Sequence, residues 1–477
     1  MAPPAASWTS DSAVRTILAI ADSGCIARDG LLGCVVGFLM DINVTPRSGV
    51  MTAPAMRPNP STVRDITLAE HYRSVRRFTE SLCEPLAPDD FVIQSMTDAS
   101  PIKWHLAHTT WFFETFVLAR SIPGYRPFHS LFNFLFNSYY DAAGPRWPRP
   151  QRGLLSRPTV TEIFQYRHAI DERVDSLIAA RAGDDAAAIL LLGLHHEQQH
   201  QELMITDLKH GWSANPLHPV YRDALPDTGA PPPMRWLDFP EALVWIGHEG
   251  RDFAFDNEAP RHRAFAARFS IASRLATNAE YLAFIADGGY ARPELWLSDG
   301  WAARNARGWD APLYWHRDGS KWSVFTMAGL RPLNPAEPVC HVSYYEADAF
   351  ARWAGARLPT EVEWETAAAG NAIAGHFIES GRFHPAAAAA PDDRGPLHQL
   401  YGDVWQWTAS PYLAYPGYRP PPGALGEYNG KFMCNQMVLR GASCATPRSH
   451  ARRTYRNFFP PDARWQFSGI RLARDPD

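Results

Sequence analysis

The chain has 477 residues, with 46 Lys and Arg against 50 Asp and Glu, 46% hydrophobic residues and 20% charged residues. This profile is typical of a globular protein of two or three domains and excludes a chain that is disordered throughout. The formal charge of −4 comes without a cluster of basic residues, whereas binding a polyphosphate or an anionic lipid surface needs clustered positive charge. We therefore expect neither a nucleic acid nor a membrane as a partner.

The cysteines and the first 55 residues bear on where the protein resides. The six cysteines form no CxxC pair and no metal-knuckle spacing, which is typical of a reducing compartment. The longest apolar run, LLGCVVGFLM at 31–40, is about half the length of a bilayer span, and no basic segment precedes an apolar stretch as in a secretory signal. We expect a cytoplasmic protein whose residues 1–55 are a disordered extension.

Residues 56–211 are predicted to form a four-helix bundle, because apolar side chains recur there every three or four positions. A long crossover at 121–158 joins the second and third helices, as in bundles with one long connection. The helices are predicted at about 62–83, from Ser100 and Pro101, from Thr159 with a capping box to Glu162, and from Gly183 and Asp184 to Gly211.

The chain changes character after the bundle. Residues 212–235 are rich in proline, which disfavours helix, and we interpret them as a linker. Residues 236–477 combine short hydrophobic segments, many glycines and most of the tryptophans. This second half is predicted to mix α and β structure, so the whole chain is of the α+β class.

Two histidine motifs in the bundle predict a metal site. HHEQQHQEL at 195–203 places His196 and His200 four residues apart, on one face of a helix. WHLAHTTWFFET at 104–115 offers a third ligand on a facing helix, and His108 lies on its inward stripe, whereas His105 lies nearer the edge. Three imidazoles leave positions open for substrates, as in a catalytic site, but the spacing alone does not separate zinc from iron.

The polar neighbours of these ligands are expected to lie outside the ligand set. His105 and His195 are predicted to be at the surface or in a layer around the ligands. Glu197 and Glu202 point away from the face that carries His196 and His200, so they are predicted to be solvated or to support the ligands from behind.

The crossover segment NSYYDAAGPRWPRPQRGLLSRPT at 137–159 could cover the metal. Tyr139 and Tyr140 offer phenolic protons, and the arginines at 146, 149 and 152 can bind a carboxylate with two hydrogen bonds. We select Arg146 and Arg149 as substrate-binding candidates. The alternative is a packed loop with arginines at the surface.

Both halves of the chain resemble known families. The bundle resembles a DinB-like domain, through the HxxxH element read as HEQQH. The second half resembles a formylglycine-generating-enzyme (sulfatase-modifying-factor) domain, for which the resemblance implies a C-type-lectin-like fold. The segments that carry this second resemblance are NEAPRHR at 257–263, TNAEYLAF at 277–284, VSYYEADAFARWAGARLPTEVEWE at 342–365, GDVWQWTAS at 402–410, LRGAS at 439–443 and FSGIRLARD at 467–475.

The two domains in this order resemble the sulfoxide synthases of ergothioneine biosynthesis, which are non-haem iron(II) enzymes. The resemblance implies iron bound by His108, His196 and His200, with Gln199 near the imidazole substrate. Through RNFFPPDARWQFSGIRL at 456–472 it also implies a substrate pocket with Asn457, Phe458 and Phe459. One branch of the family has an Asp where Phe459 stands. The RNFFP branch is expected to carry its catalytic tyrosines in the crossover, which fits Tyr139 and Tyr140.

The implied reaction joins a thiol, cysteine or γ-glutamylcysteine, to the imidazole of hercynine (trimethylhistidine), with dioxygen as oxidant. Three alternatives remain open: a histidine-specific synthase of the ovothiol type, a zinc-dependent DinB-like thiol transferase and a non-catalytic ligand-binding module. Copper-thiolate oxidase chemistry is disfavoured, because Cys444 has no second cysteine within the next dozen residues.

Overall fold

A computed structural model describes residues 67–180, 183–226, 229–389 and 395–476. Almost all of the chain after residue 64 belongs to one compact unit. The expected extension at 1–55 lies outside the described residues, and the proposed domain boundaries remain a prediction. Across the described residues, no helix combines the length and the apolar character that crossing a membrane requires.

The helices of the structure include four long ones in the first half, as predicted. Their bounds are α1 Leu68–Ser81, α2 Ile102–Phe113, α3 Ala119–Ser121, α4 Phe132–Phe136, α5 Val160–Ala179, α6 Asp184–Ser213, α7 Asn278–Ala286, α8 Ser298–Arg307, α9 Tyr344–Trp353, α10 Glu361–Ala367 and α11 Glu427–Gly430. A π-helical turn, Glu114–Leu118, connects α2 to α3.

Capping residues set where the bundle helices begin. The Thr159 side chain accepts a hydrogen bond from the Glu162 backbone, and the Glu162 carboxylate accepts one from the Thr159 backbone, so the predicted capping box starts α5. Pro101 occupies the N-cap position of α2 without a side-chain hydrogen bond, and α2 begins at Ile102, one residue later than expected. The fourth helix ends at Ser213, two residues beyond the predicted Gly211.

Helix α2 lies at the centre of the bundle. All twelve of its residues are buried, and it packs against α5 and α6. A helix that is buried around its whole circumference is stable only inside a core. The histidines of α2 are therefore buried inside the bundle.

The described residues of the second half include short strands in four small sheets, which confirms the mixed α and β character. The sheet orders are β1-β4-β12, β10-β9-β8-β11, β5-β6-β7 and the hairpin β2-β3. The strands are β1 Trp236–Phe239, β2 Ala242–Ile246, β3 His262–Ala266, β4 Phe269–Ala272, β5 Trp315–Asp318, β6 Lys321–Thr326, β7 Gly329–Pro332, β8 Trp405–Pro411, β9 Met437–Arg440, β10 Asn457–Phe459, β11 Ser468–Gly469 and β12 Ala473–Arg474.

Helix α6 is shared between the two halves. One of its faces packs against α1 and α2, while side chains on another face bond to the second half. Gln198 donates to the Ser449 hydroxyl at 2.6 Å, and Lys209 Nζ lies 2.7 Å from His341 Nε2. The crossover meets the second half as well, because the Glu427 carboxylate accepts from two backbone N–H groups at 141 and 142. A space lined by both halves results between α2, α6, the crossover and β10.

Candidate metal centre and substrate cavity

The structure brings together the three histidines that were predicted from the helix stripes. His108 comes from α2, and His196 and His200 come from one face of α6. One ring nitrogen of each lies within 4.8 Å of the corresponding nitrogens of the other two, and all three side chains are buried. These residues can hold a metal ion.

The three histidines of the cluster are in the neutral protonation state that metal binding requires. His108 Nδ1 lies 2.6 Å from the Phe136 carbonyl and donates to it, so the lone pair of Nε2 faces His196 Nε2 at 3.2 Å. Burial lowers the pKa of His196 to about 4 and also lowers the pKa values of His108 and His200, with mutual repulsion of the rings adding to the effect at His108 and His200. Neutral imidazoles with converging lone pairs are the form that binds a cation.

A histidine and a carboxylate support the cluster from behind. His105 Nδ1 lies 2.8 Å from His200 Nδ1, and His105 Nε2 lies 3.1 Å from Asp207 Oδ2. A partner at Nδ1 leaves Nε2 of His200 for a metal, which is how ligand histidines are usually oriented. His105 is 2% exposed, so of the two predicted placements the supporting layer is correct and the surface is wrong.

The two glutamates of the HEQQHQE motif are buried, so of the two predicted placements, solvated or supporting the ligands from behind, the solvated one is wrong. Glu197 accepts hydrogen bonds from two arginines and a threonine inside the bundle. Glu202 accepts from the indole and hydroxyl groups of three residues in the second half. Each carboxylate has charged or polar partners that offset the cost of burial.

A cavity of about 310 Å³ opens from the histidine cluster. Its lining includes the three histidines and seven of the remaining candidates, which are Tyr139, Tyr140, Arg149, Gln199, Asn457, Phe458 and Phe459. Arg146 is not part of this lining. Its guanidinium pairs with Asp141 at 2.7 Å, and its side chain is 41% exposed.

The two candidate tyrosines occupy different surroundings. The Tyr139 hydroxyl accepts a hydrogen bond from Arg149, and its ring packs on Phe432. Tyr140 is buried beside Phe116 and stacks on Tyr428, and burial raises the pKa of its phenol. Tyr140 therefore keeps its proton at neutral pH.

The arginines of the crossover divide by position. Arg149 lines the cavity and donates to the Asp98 carbonyl as well as to Tyr139. Arg152, which was not among the candidates selected from the sequence, is 4% exposed and donates to the hydroxyls of Ser100 and Ser138. Its guanidinium lies 3.3 Å from the centre of the Trp104 ring. Burial lowers its pKa to about 9, and its hydrogen-bond partners among the described residues are hydroxyl groups, not carboxylates.

The substrate segment of the second half forms one wall of the cavity. Asn457, Phe458 and Phe459 make up β10, which pairs with β9 in antiparallel register. The Phe458 ring stacks on Tyr412 at 4.0 Å, which fixes its position. Gln199 faces this wall from α6 and donates to the Tyr455 hydroxyl at 2.8 Å.

Arg152 was named in the arginine run but was not selected, and several further residues of the cavity wall were missed from the sequence. The missed residues include Tyr428, Phe432, Tyr455 and Trp465. The position of Tyr455 just before Asn457 is a signal that could have found one of them. Tyr428 and Trp465 carry no such local signal, since only the fold brings them to the cavity.

Comparison with known proteins agrees with this two-part architecture. Residues 71–204 match the model of the DinB superfamily, and residues 241–392 and 379–476 match the sulfatase-modifying factor enzyme 1-like domain. A hercynine oxygenase of Mycolicibacterium thermoresistibile is 34% identical over 79% of this chain and 88% of its own length. One from Mycolicibacterium smegmatis is 32% identical over 79% of this chain and 91% of its own length. Ergothioneine biosynthesis protein 1 of Schizosaccharomyces pombe is 28% identical over 50% of this chain and 33% of its own length.

The relatives and the two matched families therefore define an oxygenase in which a DinB-like bundle, which carries the buried histidine cluster, is followed by a sulfatase-modifying-factor domain. The chain belongs to the hercynine oxygenase family.

Proposed function

We propose that this protein is an iron(II)-dependent sulfoxide synthase of ergothioneine biosynthesis, which joins a cysteine-type thiol to the imidazole of hercynine. The observation that carries the proposal is a three-histidine cluster that opens onto a cavity with one aromatic wall and one cationic wall. In the overall balance, the thiol S–H and the imidazole C–H give a C–S bond. One oxygen atom of dioxygen remains on sulfur, and the other leaves as water with the two hydrogens.

The aromatic wall suits hercynine. A quaternary trimethylammonium group binds to the faces of aromatic rings, and Tyr428, Tyr455, Phe459 and Trp465 line this part of the cavity. Asn457 offers polar atoms to the carboxylate or ammonium end, and Gln199 offers an amide to the imidazole.

The cationic wall suits the carboxylate of the thiol substrate. Arg152 is a buried cation without a carboxylate partner among the described residues, and Arg149 lies beside it in the lining. A guanidinium in such a position binds a carboxylate through charge-assisted hydrogen bonds. We therefore assign the carboxylate of cysteine or γ-glutamylcysteine to Arg149 and Arg152, and we give Arg146 at most an indirect role.

Iron(II), when bound by the three histidines, supplies the activation of dioxygen. The protein positions the two substrates and excludes water, and Tyr139 or Tyr140 donates a proton or a hydrogen bond during the oxygen chemistry. The four described cysteines are unpaired, which supports a role in the reducing cytoplasm.

The test is to load the protein with iron(II) without oxygen, add hercynine with cysteine or γ-glutamylcysteine, admit air and analyse the products by mass spectrometry. We expect a hercynyl sulfoxide with one of the two thiols and much less product from the zinc-loaded protein. Efficient use of histidine in place of hercynine would indicate an ovothiol-type synthase. Thiol transfer with zinc alone would indicate a DinB-like transferase, and the absence of both metal binding and turnover would indicate a ligand-binding module.

A further inference from the structure

A row of four hydrogen-bonded side chains leads from the cavity into the second half. Gln199 Nε2 donates to the Tyr455 hydroxyl at 2.8 Å, and the same hydroxyl lies 3.1 Å from His450 Nε2. His450 Nδ1 in turn lies 3.0 Å from His195 Nδ1. Gln199 and Tyr455 line the cavity, whereas the two histidines lie behind it.

Three of the four members of the row are buried, and Gln199 is half-buried at the cavity. His450 is fully buried, and Tyr455 and His195 are each 5% exposed. The His195 ring stacks on Phe253 with a centroid distance of 3.8 Å, so the predicted surface position of His195 is wrong. Arg452 lies 4.9 Å from the centre of the Tyr455 ring and pairs with Glu258.

The donors and acceptors in this row form one consistent order. Burial lowers the pKa of His450, so its imidazole is neutral, with one donor and one acceptor nitrogen. If Tyr455 donates its proton to His450 Nε2, its oxygen is left to accept from the amide nitrogen of Gln199. His450 Nδ1–H then donates to His195 Nδ1. Each of the three contacts then joins one donor to one acceptor, and the Gln199 carbonyl oxygen is left for the cavity.

We propose that Tyr455, held by His450 and His195, is a positioning residue that fixes the side-chain amide of Gln199 with its carbonyl oxygen toward the cavity, as an acceptor for the imidazole N–H of the substrate. An amide that lacks such a partner can turn over and present its NH₂ group instead, which would face the N–H of the ring. The inference rests on the proposed function, since it names a contact with the imidazole substrate.

The test measures the dissociation constant of hercynine for the iron-loaded protein by calorimetry without oxygen, so it needs no turnover. Tyr455→Phe keeps the ring and removes the hydroxyl that accepts from Gln199. We expect hercynine to bind about tenfold more weakly, which corresponds to about 1.4 kcal/mol, while the affinity for the thiol stays unchanged.

Repeating the Tyr455→Phe change in a Gln199→Glu variant separates a role in positioning Gln199 from a general structural effect. A carboxylate presents oxygen in either orientation, so in Gln199→Glu protein the further change Tyr455→Phe should alter hercynine binding less than about twofold. Tyr281→Phe is the matched control, because it removes a buried hydroxyl whose partner is Tyr290, outside the cavity. It should leave hercynine binding at the wild-type level.

The outcomes distinguish the two proposals. Wild-type protein that does not bind hercynine would overturn the proposed function. If wild-type protein binds hercynine, but Tyr455→Phe lowers the affinity for hercynine equally in the wild-type and Gln199→Glu proteins, only the positioning role is overturned. An unchanged affinity in Tyr455→Phe would overturn it as well.

Discussion

His105 and His108 lie three residues apart on α2, but they have different partners. His108 presents Nε2 to His196, whereas His105 contacts His200 from the rear and reaches Asp207. The inward stripe of α2 that carries His108 already indicated this choice in the sequence. The partners of His105 lie about 100 residues away in the chain, so they could not be predicted from the sequence pattern.

Removing each histidine should therefore have a different effect on iron binding. We expect His108→Ala to abolish tight binding, because it removes one of three nitrogen ligands. His105→Ala should keep binding but weaken it about 10-fold to 100-fold, the usual effect of losing a group that orients a ligand. Metal analysis after dialysis against graded chelator measures both. Full iron content in His108→Ala, with loss in His105→Ala, would contradict the assignment.

The hydroxyls of Tyr139 and Tyr140 can be removed while their rings remain. If one of them is the proton donor, its change to Phe should lower sulfoxide formation about a hundredfold or more, with little change in iron or substrate affinity. Oxidation of the thiol to its sulfinic acid should rise. Tyr125→Phe is a control, since that hydroxyl donates to Glu114 away from the cavity. Wild-type product yield from both single variants and the double variant would leave these tyrosines with a packing role.

The lowered pKa of His196 predicts a pH dependence for the metal-free protein. In the unfolded chain His196 takes up a proton near pH 6.5, but in the folded protein it does so only near pH 4. The free energy of unfolding should therefore fall as the pH drops from 6.5 to 4. The contribution of this residue is at most about 3 kcal/mol. Urea unfolding of metal-free protein at several pH values measures it. His196→Leu should flatten the pH dependence, whereas His168→Ala, at an exposed position, should not.

At the scale of the helices, Glu197 connects three of them. Its carboxylate on α6 accepts from Arg76 and Thr79 of α1 and from Arg167 of α5. Burial opposes the charge, but the two guanidiniums prevail and lower the pKa of Glu197 to about 2. The ion pairs therefore hold α6 against its two neighbours in the bundle.

Removing this carboxylate should destabilise the protein strongly. Glu197→Ala leaves two buried guanidiniums without their shared partner, and we expect a loss of about 3–5 kcal/mol in the free energy of unfolding. Asp175→Ala breaks the exposed pair with Arg73 and should cost less than about 1 kcal/mol. Because the folded pKa lies near 2, the contribution of Glu197 is complete above about pH 4.5 and is lost as the pH falls toward 2. Similar losses in the two variants would contradict this account.

At the scale of the whole molecule, Glu202 joins the bundle to the second half. Its carboxylate accepts from Trp405 Nε1 at 2.8 Å, from the Ser443 hydroxyl at 2.6 Å and from the Thr446 hydroxyl at 2.8 Å. Burial raises the pKa of Glu202 in spite of these donors. Because Glu202 lies in the cavity lining, this contact also fixes the bundle side of the cavity relative to the side formed by the second half.

Loss of this contact should weaken the coupling between the halves. Glu202→Ala leaves the Trp405 indole and one of the two hydroxyls without an acceptor, since the Ser443 and Thr446 hydroxyls lie 3.2 Å apart and one can donate to the other. At about 1–3 kcal/mol for each donor, we expect the melting transition to broaden or split in calorimetry. Glu172→Ala, on α5 and away from the second half, is the control and should melt like the wild type. A single wild-type transition in Glu202→Ala would show that the halves are coupled without this carboxylate.

The sequence by itself determined the helices, the mixed α and β character of the second half, and the histidine stripes, because these depend on spacing within one element. The capping box at Thr159 and the i, i+4 pair of His196 and His200 are examples. Only the tertiary structure decided that Glu197 and Glu202 are buried, that Arg152 has no carboxylate partner among the described residues, and that Tyr455 meets Gln199. These contacts join residues that lie far apart in the chain, up to 256 positions for Gln199 and Tyr455. Local periodicity carries no information about such pairs, since packing of the two halves brings them together.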